Sequence, residues 1–269
     1  MSELPERMSP WPTVSAIVVC FNEERNIGDC LESLRWCDEI VVVDSFSTDG
    51  TLDICRRYTQ RVIQRAWTGY RAQKAFAHSQ ATQDWVLLVD ADERVSSELR
   101  DEIREALEQF GDRYCGFAVP RVVFFLERWW WRGGWYPDFA VRLFRRDRVT
   151  WGGSEPHDKV LVDGAVRHLR HPLLHFSYRD IEDHLQRINC FTSISSGELS
   201  KEGKRWHWMD ALARPAFRFF RYYVLKRGFL EGFAGFYVAV SAAVYVFLKY
   251  AKLWELEMEA KKKGGQERS

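Results

Sequence analysis

Trp85-Val86-Leu87-Leu88-Val89-Asp90-Ala91-Asp92-Glu93 is the stretch on which the fold turns. The four consecutive apolar residues after Trp85 are too short a run for a buried helix, and they lack the alternation of a half-exposed strand. They read as a strand covered on both faces, as in an α/β sheet. Beyond it, Ser97 is placed to cap a helix whose Leu99, Ile103, Ala106, Leu107 and Phe110 share one face, with Gly111 as its stop. Asp90 and Asp92 then stand at the carboxyl end of a strand, where open α/β sheets bind ligands.

Residues two apart in an extended chain point the same way, so Asp90 and Asp92 can aim both carboxylates at one spot. Two converging carboxylates repel unless a cation lies between them. Hard oxygen donors suit Mg²⁺ or Mn²⁺, and Mg²⁺ is usually held by one or two carboxylates together with substrate phosphates. An isolated Asp-Ala-Asp equally serves as an acidic loop that caps the next helix, so the rest of the chain has to decide.

The 269 residues allow one large domain, or one domain with an appendage, and a hydrophobic content of 46% supplies a full core. A formal net charge of +1 gives no footprint of a nucleic-acid binder. Cys20, Cys30, Cys37, Cys55, Cys115 and Cys190 lack the close paired spacing of zinc or redox motifs and read as reduced apolar fillers. Residues 1–13 carry prolines and charges without an apolar core. They read as a flexible leader rather than a signal peptide, so a cytoplasmic protein is expected.

From Val14 the pattern alternates between strand and helix. Strands are predicted at Val14–Cys20, Glu39–Val43 and around Arg61–Ile63, and helices at about Ile27–Leu34, Thr51–Tyr58 and Tyr70–Ala81. Such alternation argues for a mostly parallel sheet with right-handed crossovers. Polar residues follow each strand: Asn22, Glu23 and Glu24 after the first, and Asp44, Ser45, Ser47, Thr48, Asp49 and Gly50 after the second. In a parallel sheet these loops share a rim with Asp90. Each has an ordinary explanation, Asn22 as a helix cap and Asp49-Gly50 as a tight turn, but acids and amides after three strands are harder to dismiss together. Neither Gly-x-Gly-x-x-Gly nor a Walker lysine motif is present, which disfavours a dinucleotide oxidoreductase and a P-loop enzyme.

Ser15-Ala16-Ile17-Val18-Val19-Cys20-Phe21-Asn22-Glu23-Glu24, Val41-Val42-Val43-Asp44-Ser45-Phe46-Ser47-Thr48-Asp49-Gly50-Thr51 and Asp90-Ala91-Asp92-Glu93 together resemble the successive signatures of family 2 glycosyltransferases with the GT-A fold. Within that family the chain most resembles the lipopolysaccharide inner-core β-glucosyltransferases, which transfer glucose from UDP-glucose to a core heptose with inversion. The resemblance implies that Asp44 binds the uracil or ribose, that the loop with Asn22 and Glu24 walls the nucleotide, and that Asp90 with Ala91 reaches the ribose or a metal-bound water. It implies that Asp92 ligates a Mg²⁺ or Mn²⁺ ion bridging the donor diphosphate, with His175 completing the metal shell. Gln73 and Lys74 fall on the expected nucleotide-sugar face. A solvated helix lysine and a satisfied core histidine are the plain alternatives for Lys74 and His175.

The reaction needs neutralisation of a departing diphosphate and removal of a proton from the acceptor hydroxyl. The base is expected in the second half. There Cys115–Phe125 is β-rich, Arg128–Asp138 reads as an aromatic loop, and Val141–Phe144 reads as a strand. In Gly152-Gly153-Ser154-Glu155-Pro156-His157-Asp158 the family's His-acid pair falls on His157-Asp158. Asp158 is the expected base, with Glu155 and Asp138 as rivals; a polar pair that orients a loop is the alternative. Trp135, Tyr136, His157 and Arg142 are candidate acceptor or diphosphate contacts, as are Arg145 and Arg146, which can equally be surface charge.

Beyond Tyr178 the chain turns helical. Arg214–Arg227 interleaves cations and aromatics, which suits a helix lying in an anionic membrane interface. The uncharged run Gly232–Leu248 sits near the lower limit for crossing a bilayer, which takes about 20 residues. A re-entrant or in-plane helix is favoured over a span, with an oligomer interface as a third reading.

The expected layout is a leader at 1–13, a GT-A domain at 14–178 (nucleotide half 14–112, acceptor half 113–178), a membrane-peripheral helical region at 179–260 and a tail at 261–269. The expected function is a metal-dependent inverting hexosyltransferase at the cytoplasmic face of the inner membrane, using a UDP-sugar donor and a lipopolysaccharide core or other envelope glycan acceptor. The alternatives are a polyprenol-phosphate glycosyltransferase and, from another class, a non-catalytic sugar-nucleotide or membrane-binding protein.

Overall fold

The computed structural model describes residues 12–154 and 157–266, without the side chains of Ser154, His157, Asp158 and residues 263–266. The Val14–Cys20 run forms β1, and Glu39–Asp44, Val62–Gln64 and Trp85–Asp90 form β2, β3 and β4. Between them lie α1 (Ile27–Glu32), α2 (Thr51–Cys55) and α3 (Tyr70–Gln80). Strands β3, β2, β1 and β4 are parallel neighbours in that order, with Val18 opposite both Val42 and Val89.

Side chains alternate across the sheet, and each face finds its own cover. Val14, Ala16 and Val18 pack with Leu87 and Val89 beneath α1 and α4 (Ser97–Phe110), on Ile27, Leu31, Leu99 and Ile103. Ile17, Val41, Val43, Val86 and Leu88 face the other way, onto Ala77 and Ala81. Burial on both sides is why β4 reads as an unbroken apolar run.

Past β4 the sheet changes sense. Strands β6 (Gly116–Phe125) and β8 (Asp138–Arg145) are antiparallel neighbours, and β8 pairs antiparallel with β4, Leu87 standing opposite Leu143. Several short strands lie outside the expected ones, among them β5 (Glu93–Arg94), which pairs with β12 (Leu173–His175), and β7 (Arg128–Trp130), which turns the start of the expected aromatic loop into a hairpin with β6. Strand β11 (Val166–His168) lies alongside β6, and β9 (Val149–Ser154) pairs with β10 (His157–Val162).

The cap of α4 is Ser96 rather than Ser97. Ser96 is extended and its hydroxyl accepts from Leu99 N at 3.2 Å, whereas the Ser97 hydroxyl donates to Glu98. The cap oxygen must reach the third helical N–H, and only Ser96 is spaced for that. All six cysteines are free thiols, and Cys190 is exposed.

The described residues form two compact units, with those up to 122, 138–153 and 158–176 in one, and 123–137 and those from 177 onward in the other. In the second unit α5 (Ile181–Lys201) packs on α7 (Gly232–Gln266), and α6 (Trp208–Phe220) lies against α7. His184 Nδ1 meets the Tyr237 hydroxyl at 2.9 Å, and Lys252 Nζ donates to Asn189 O and Thr192 Oγ1 at 2.6 and 2.8 Å. Phe125, Trp130 and Val238 form a buried hydrophobic cluster in it.

Pro215 lies inside α6, which ends in a π-helical turn, Arg221–Leu225. The return to α7 is a close glycine contact: a Cβ on Gly235 would collide with Gly228 O. Helix α7 runs 35 residues, about twice the uncharged run that begins it. It is long and apolar enough to cross a membrane by length and composition.

Candidate active site

The site is built on the carboxyl end of β4. Asp90 is its last residue, and the chain turns through buried Ala91 and Asp92 into β5. The turn is closed by Glu93, whose Oε2 accepts from Asp90 N at 2.9 Å. Glu93 is fully buried, and Arg142 on β8 reaches across to donate to Glu93 Oε1 at 2.5 Å and to Asp90 Oδ2 at 2.8 Å. Lys74 on α3 sets Nζ 3.0 Å from Asp90 Oδ1. Arg121 on β6 stands 3.5 Å from Glu93 and bonds Asp138 across the strands through Nε at 3.0 Å. Buried carboxylates persist only when paired and hydrogen-bonded, and here each has a cation.

Burial alone would raise the Asp90 carboxyl, but Arg142 and Lys74 outweigh it and hold Asp90 well below the ordinary carboxylate range. Asp90 is thus an anion locked between two cations. Asp92 is differently placed. Its backbone carbonyl accepts from Phe176 N at 2.8 Å, and His175 Nε2 lies 3.4 Å from its Oδ2. The β5–β12 pairing sets His175 opposite Glu93 and so brings a distant histidine to Asp92. Burial disfavours the imidazolium, yet the charge of Asp92 and its hydrogen bond prevail and raise His175 above its usual value.

The two preceding strand ends are laced together. Asn22 N donates to Ser47 Oγ and Thr48 N to Asn22 Oδ1, both at 2.8 Å, while Gly50 N donates to Glu24 Oε2 at 2.9 Å. Asn22 and Phe46 adopt positive φ, 53° and 63°, and Phe46 is exposed. Asp44 is fully buried. Its Oδ2 accepts from Ser47 N at 2.9 Å and Gln64 Nε2 at 3.3 Å, and the Ser47 hydroxyl and Cys20 thiol approach its Oδ1. Gln73 is also buried and donates to Ser45 Oγ and Arg65 O, both at 3.0 Å, clamping the loop from beneath.

Lys74, Asp90, Ala91, Asp92, Arg142 and His175 therefore gather at one place, with Asp138 joined through Arg121. Arg142 is buried among carboxylates, where it neutralises Asp90 and Glu93. Arg145 donates to Gly111 O at 2.8 Å and lies over Trp85, away from this cluster. Trp135 and Tyr136 belong to the second unit, where Trp135 packs against Trp130 and Tyr178 and Tyr136 against Trp131. His157 and Asp158 open β10, but their side chains lie outside those described, as does Glu155 altogether. Sequence reasoning assigned no role to Glu93 or Arg121. The signal for Arg121 was a lone cation inside the apolar run Ala118–Phe125.

Among the described residues no group of three or more His, Cys, Asp and Glu side chains could hold a metal by itself. Asp92 with His175 is nevertheless a fit partial set for Mg²⁺ or Mn²⁺, because such ions commonly take only one or two protein ligands and fill the rest from phosphates and water. Asp90, already held by two cations, is poorly suited to direct ligation.

The chain resembles known proteins along nearly all its length. It is 32% identical over 260 residues, 92% of this chain and 94% of the other, to the lipopolysaccharide core biosynthesis glycosyltransferase LpsC of Rhizobium meliloti (strain 1021). It is 30% identical over 259 residues to an uncharacterized glycosyltransferase of Rickettsia typhi (strain ATCC VR-144 / Wilmington), covering 92% of this chain and 89% of that one. In fold it matches the mannosyltransferase PcManGT from Pyrobaculum calidifontis, solved in complex with GDP-Man and Mn²⁺, with a TM-score of 0.51, 16% identity, and 91% and 90% of the two chains covered. The sheet and helices are those of the GT-A fold. Residues 15–165 match the family described as Glycosyl transferase family 2, and with that match beside the full-length relatives, the chain belongs to glycosyl transferase family 2.

Proposed function

We propose that the protein transfers a hexose, glucose being the expected one, from a UDP-sugar to a heptose of the lipopolysaccharide core, with inversion, at the cytoplasmic face of the inner membrane. The observation that carries this reading is the Asp92–His175 pair beside the Lys74–Asp90–Arg142 cluster, at the strand end where GT-A folds take their donors. The near full-length likeness to a lipopolysaccharide core glycosyltransferase supports the acceptor class.

Asp92 and His175 would hold the divalent ion, which when bound supplies positive charge to the leaving diphosphate. The rest falls to the chain itself. Lys74 and Arg142 fix the Asp90 carboxylate as an acceptor for donor hydroxyls, and the laced 22–24 and 47–51 loops form a firm wall for the nucleoside. Asp158 is assigned as the base that takes the acceptor hydroxyl proton. The acceptor oxygen bonds to the anomeric carbon from the face opposite the diphosphate, and the carbon–oxygen bond to phosphate breaks with its electron pair leaving on UDP.

Calorimetric titration with UDP and then with UDP-glucose, UDP-galactose and GDP-mannose, with Mn²⁺ and again with EDTA, tests the donor assignment. Metal-dependent binding of UDP, with UDP-glucose preferred, is expected. Binding of GDP-mannose alone would overturn it.

A further inference from the structure

Between α6 and α7 lies a cleft of about 360 Å³ lined by Arg214, Phe217, Arg218 and Arg221 on one side and Val246, Lys249 and Tyr250 on the other. Residues 214, 218 and 221 recur at helical spacing, as do 246, 249 and 250, so the two helices turn these faces toward each other. The arrangement concentrates positive charge. Among the described residues the acid recorded against it is Asp210, bonded to Arg214, while Arg218 donates to the Tyr222 hydroxyl at 3.1 Å and Lys249 rests over the Tyr250 ring.

Four cations around one cleft repel one another unless an anion enters. Lys249 registers that crowding. Burial pulls its ammonium below the ordinary lysine value, and the nearby Arg214, Arg218 and Lys204 pull it further. Phosphate oxygens are the natural complement to such a group of arginines.

The rim of the cleft identifies which phosphate. Phe217 lines the cleft and is 60% exposed, and Phe220, Leu225 and Phe247 on the same elements or the turn after α6 are also exposed. Apolar side chains of this size grouped beside a cationic cleft mark an interaction surface. A free phosphate would leave them in water, whereas a lipid covers them with its acyl chains while its headgroup enters the cleft.

We propose that the α6–α7 cleft binds the phosphate headgroup of an anionic bilayer lipid. The inference rests on the membrane-peripheral location proposed above and adds to it a specific headgroup site.

Flotation of the full chain with phosphatidylcholine vesicles, with and without phosphatidylglycerol, tests it. The variant Arg218→Gln/Lys249→Gln is compared with Lys261→Gln/Lys262→Gln, which removes the same charge from exposed positions near the end of α7. The cleft pair should lose roughly thirty-fold in partitioning to phosphatidylglycerol vesicles, from about 1 kcal/mol per cation at a membrane surface, and the control pair no more than about three-fold. Equal losses in the two pairs would overturn the site in favour of diffuse charge. Calorimetric binding of inorganic phosphate to the wild type at least as tight as that of a soluble short-chain phosphatidylglycerol would make the occupant a free phosphate and refute the lipid. Equal wild-type binding to both vesicle types would leave the membrane location standing and remove the headgroup site. Binding to neither would remove both. Mn²⁺-dependent UDP binding, measured on each variant, reports separately on the transferase site and on folding.

Discussion

Glu93→Gln should be among the most destabilising conservative changes in the first unit. The carboxylate is fully buried, accepts from Asp90 N and Arg142, and stands 3.5 Å from Arg121. Glutamine keeps the shape but removes one negative charge, leaving Arg142, Arg121 and Lys74 to share Asp90 and Asp138. Its amide has one acceptor oxygen, so whichever way it turns, its NH₂ group confronts either Asp90 N–H or Arg142. Breaking a buried pair by removing one partner costs about 3 to 5 kcal/mol, which for a unit of this size lowers the melting transition by roughly 10 °C. Urea unfolding followed by calorimetry would measure it. If the cost comes from uncompensated charge, Glu93→Leu/Arg142→Leu should cost at least about 2 kcal/mol less than the sum of its single changes. A loss under about 1 kcal/mol for Glu93→Gln, or additivity in the cycle, would refute the argument.

Asp92→Asn should keep the fold and abolish Mn²⁺-dependent UDP binding and transfer; full activity would remove the metal assignment. Asp158→Asn should retain donor binding and lose at least about a hundred-fold in turnover, and unimpaired turnover would move the base to Glu155 or Asp138. Burial against Phe125, Tyr178 and Trp135 presses the His184 imidazole down to about 4, with Asp183 pulling weakly the other way. The unfolded chain takes up that proton near pH 6.5, so the contribution is whole above that pH and is lost as pH falls toward 4. It amounts to about 2 to 3 kcal/mol between pH 7.5 and 4.5, and denaturation curves at several pH values should show this slope vanish in His184→Gln. Ser96→Ala should cost about 1 kcal/mol and Ser97→Ala close to nothing, a difference that thermal melts resolve.

Fully covered strands and one-faced helices leave strong periodic signals, so β1, β2, β4 and α4 are legible in the residues alone. Asp90 and Asp92 are legible for the same reason, being acids set abruptly at the end of an apolar run. Pairings between distant short segments leave no such signal. The two residues of β5 have no period, and nothing local to His175 says that it will lie opposite Glu93. The Arg128–Trp130 strand was hidden by an aromatic cluster that suits a loop or a sheet edge equally. Helix α7 outran its apolar stretch because the residues after Leu248, rich in Lys, Glu, Ala and Leu, are good helix formers, and buried Leu253 and Lys252, bonded to Asn189 and Thr192, still tie them down. Glu93 was in plain view, but a buried acid announces itself only once its cations are found.

The lacing of the 22–24 loop to the 47–51 loop bears on affinity as well as on shape. Peptide N–H groups of each loop are already spent on side chains of the other: Asn22 N and Glu24 N on Ser47 and Asp49, and Thr48 N and Gly50 N on Asn22 and Glu24. Such a wall loses little freedom when a nucleotide arrives, whereas each side chain frozen only on binding would subtract about 0.5 to 1.5 kcal/mol from the interaction. Gly50 completes the economy, since a Cβ there would stand 3.1 Å from Glu24 Oε2. If these loops wall the donor as proposed, loosening this seam would weaken donor capture through entropy, without removing a side chain assigned to the nucleotide.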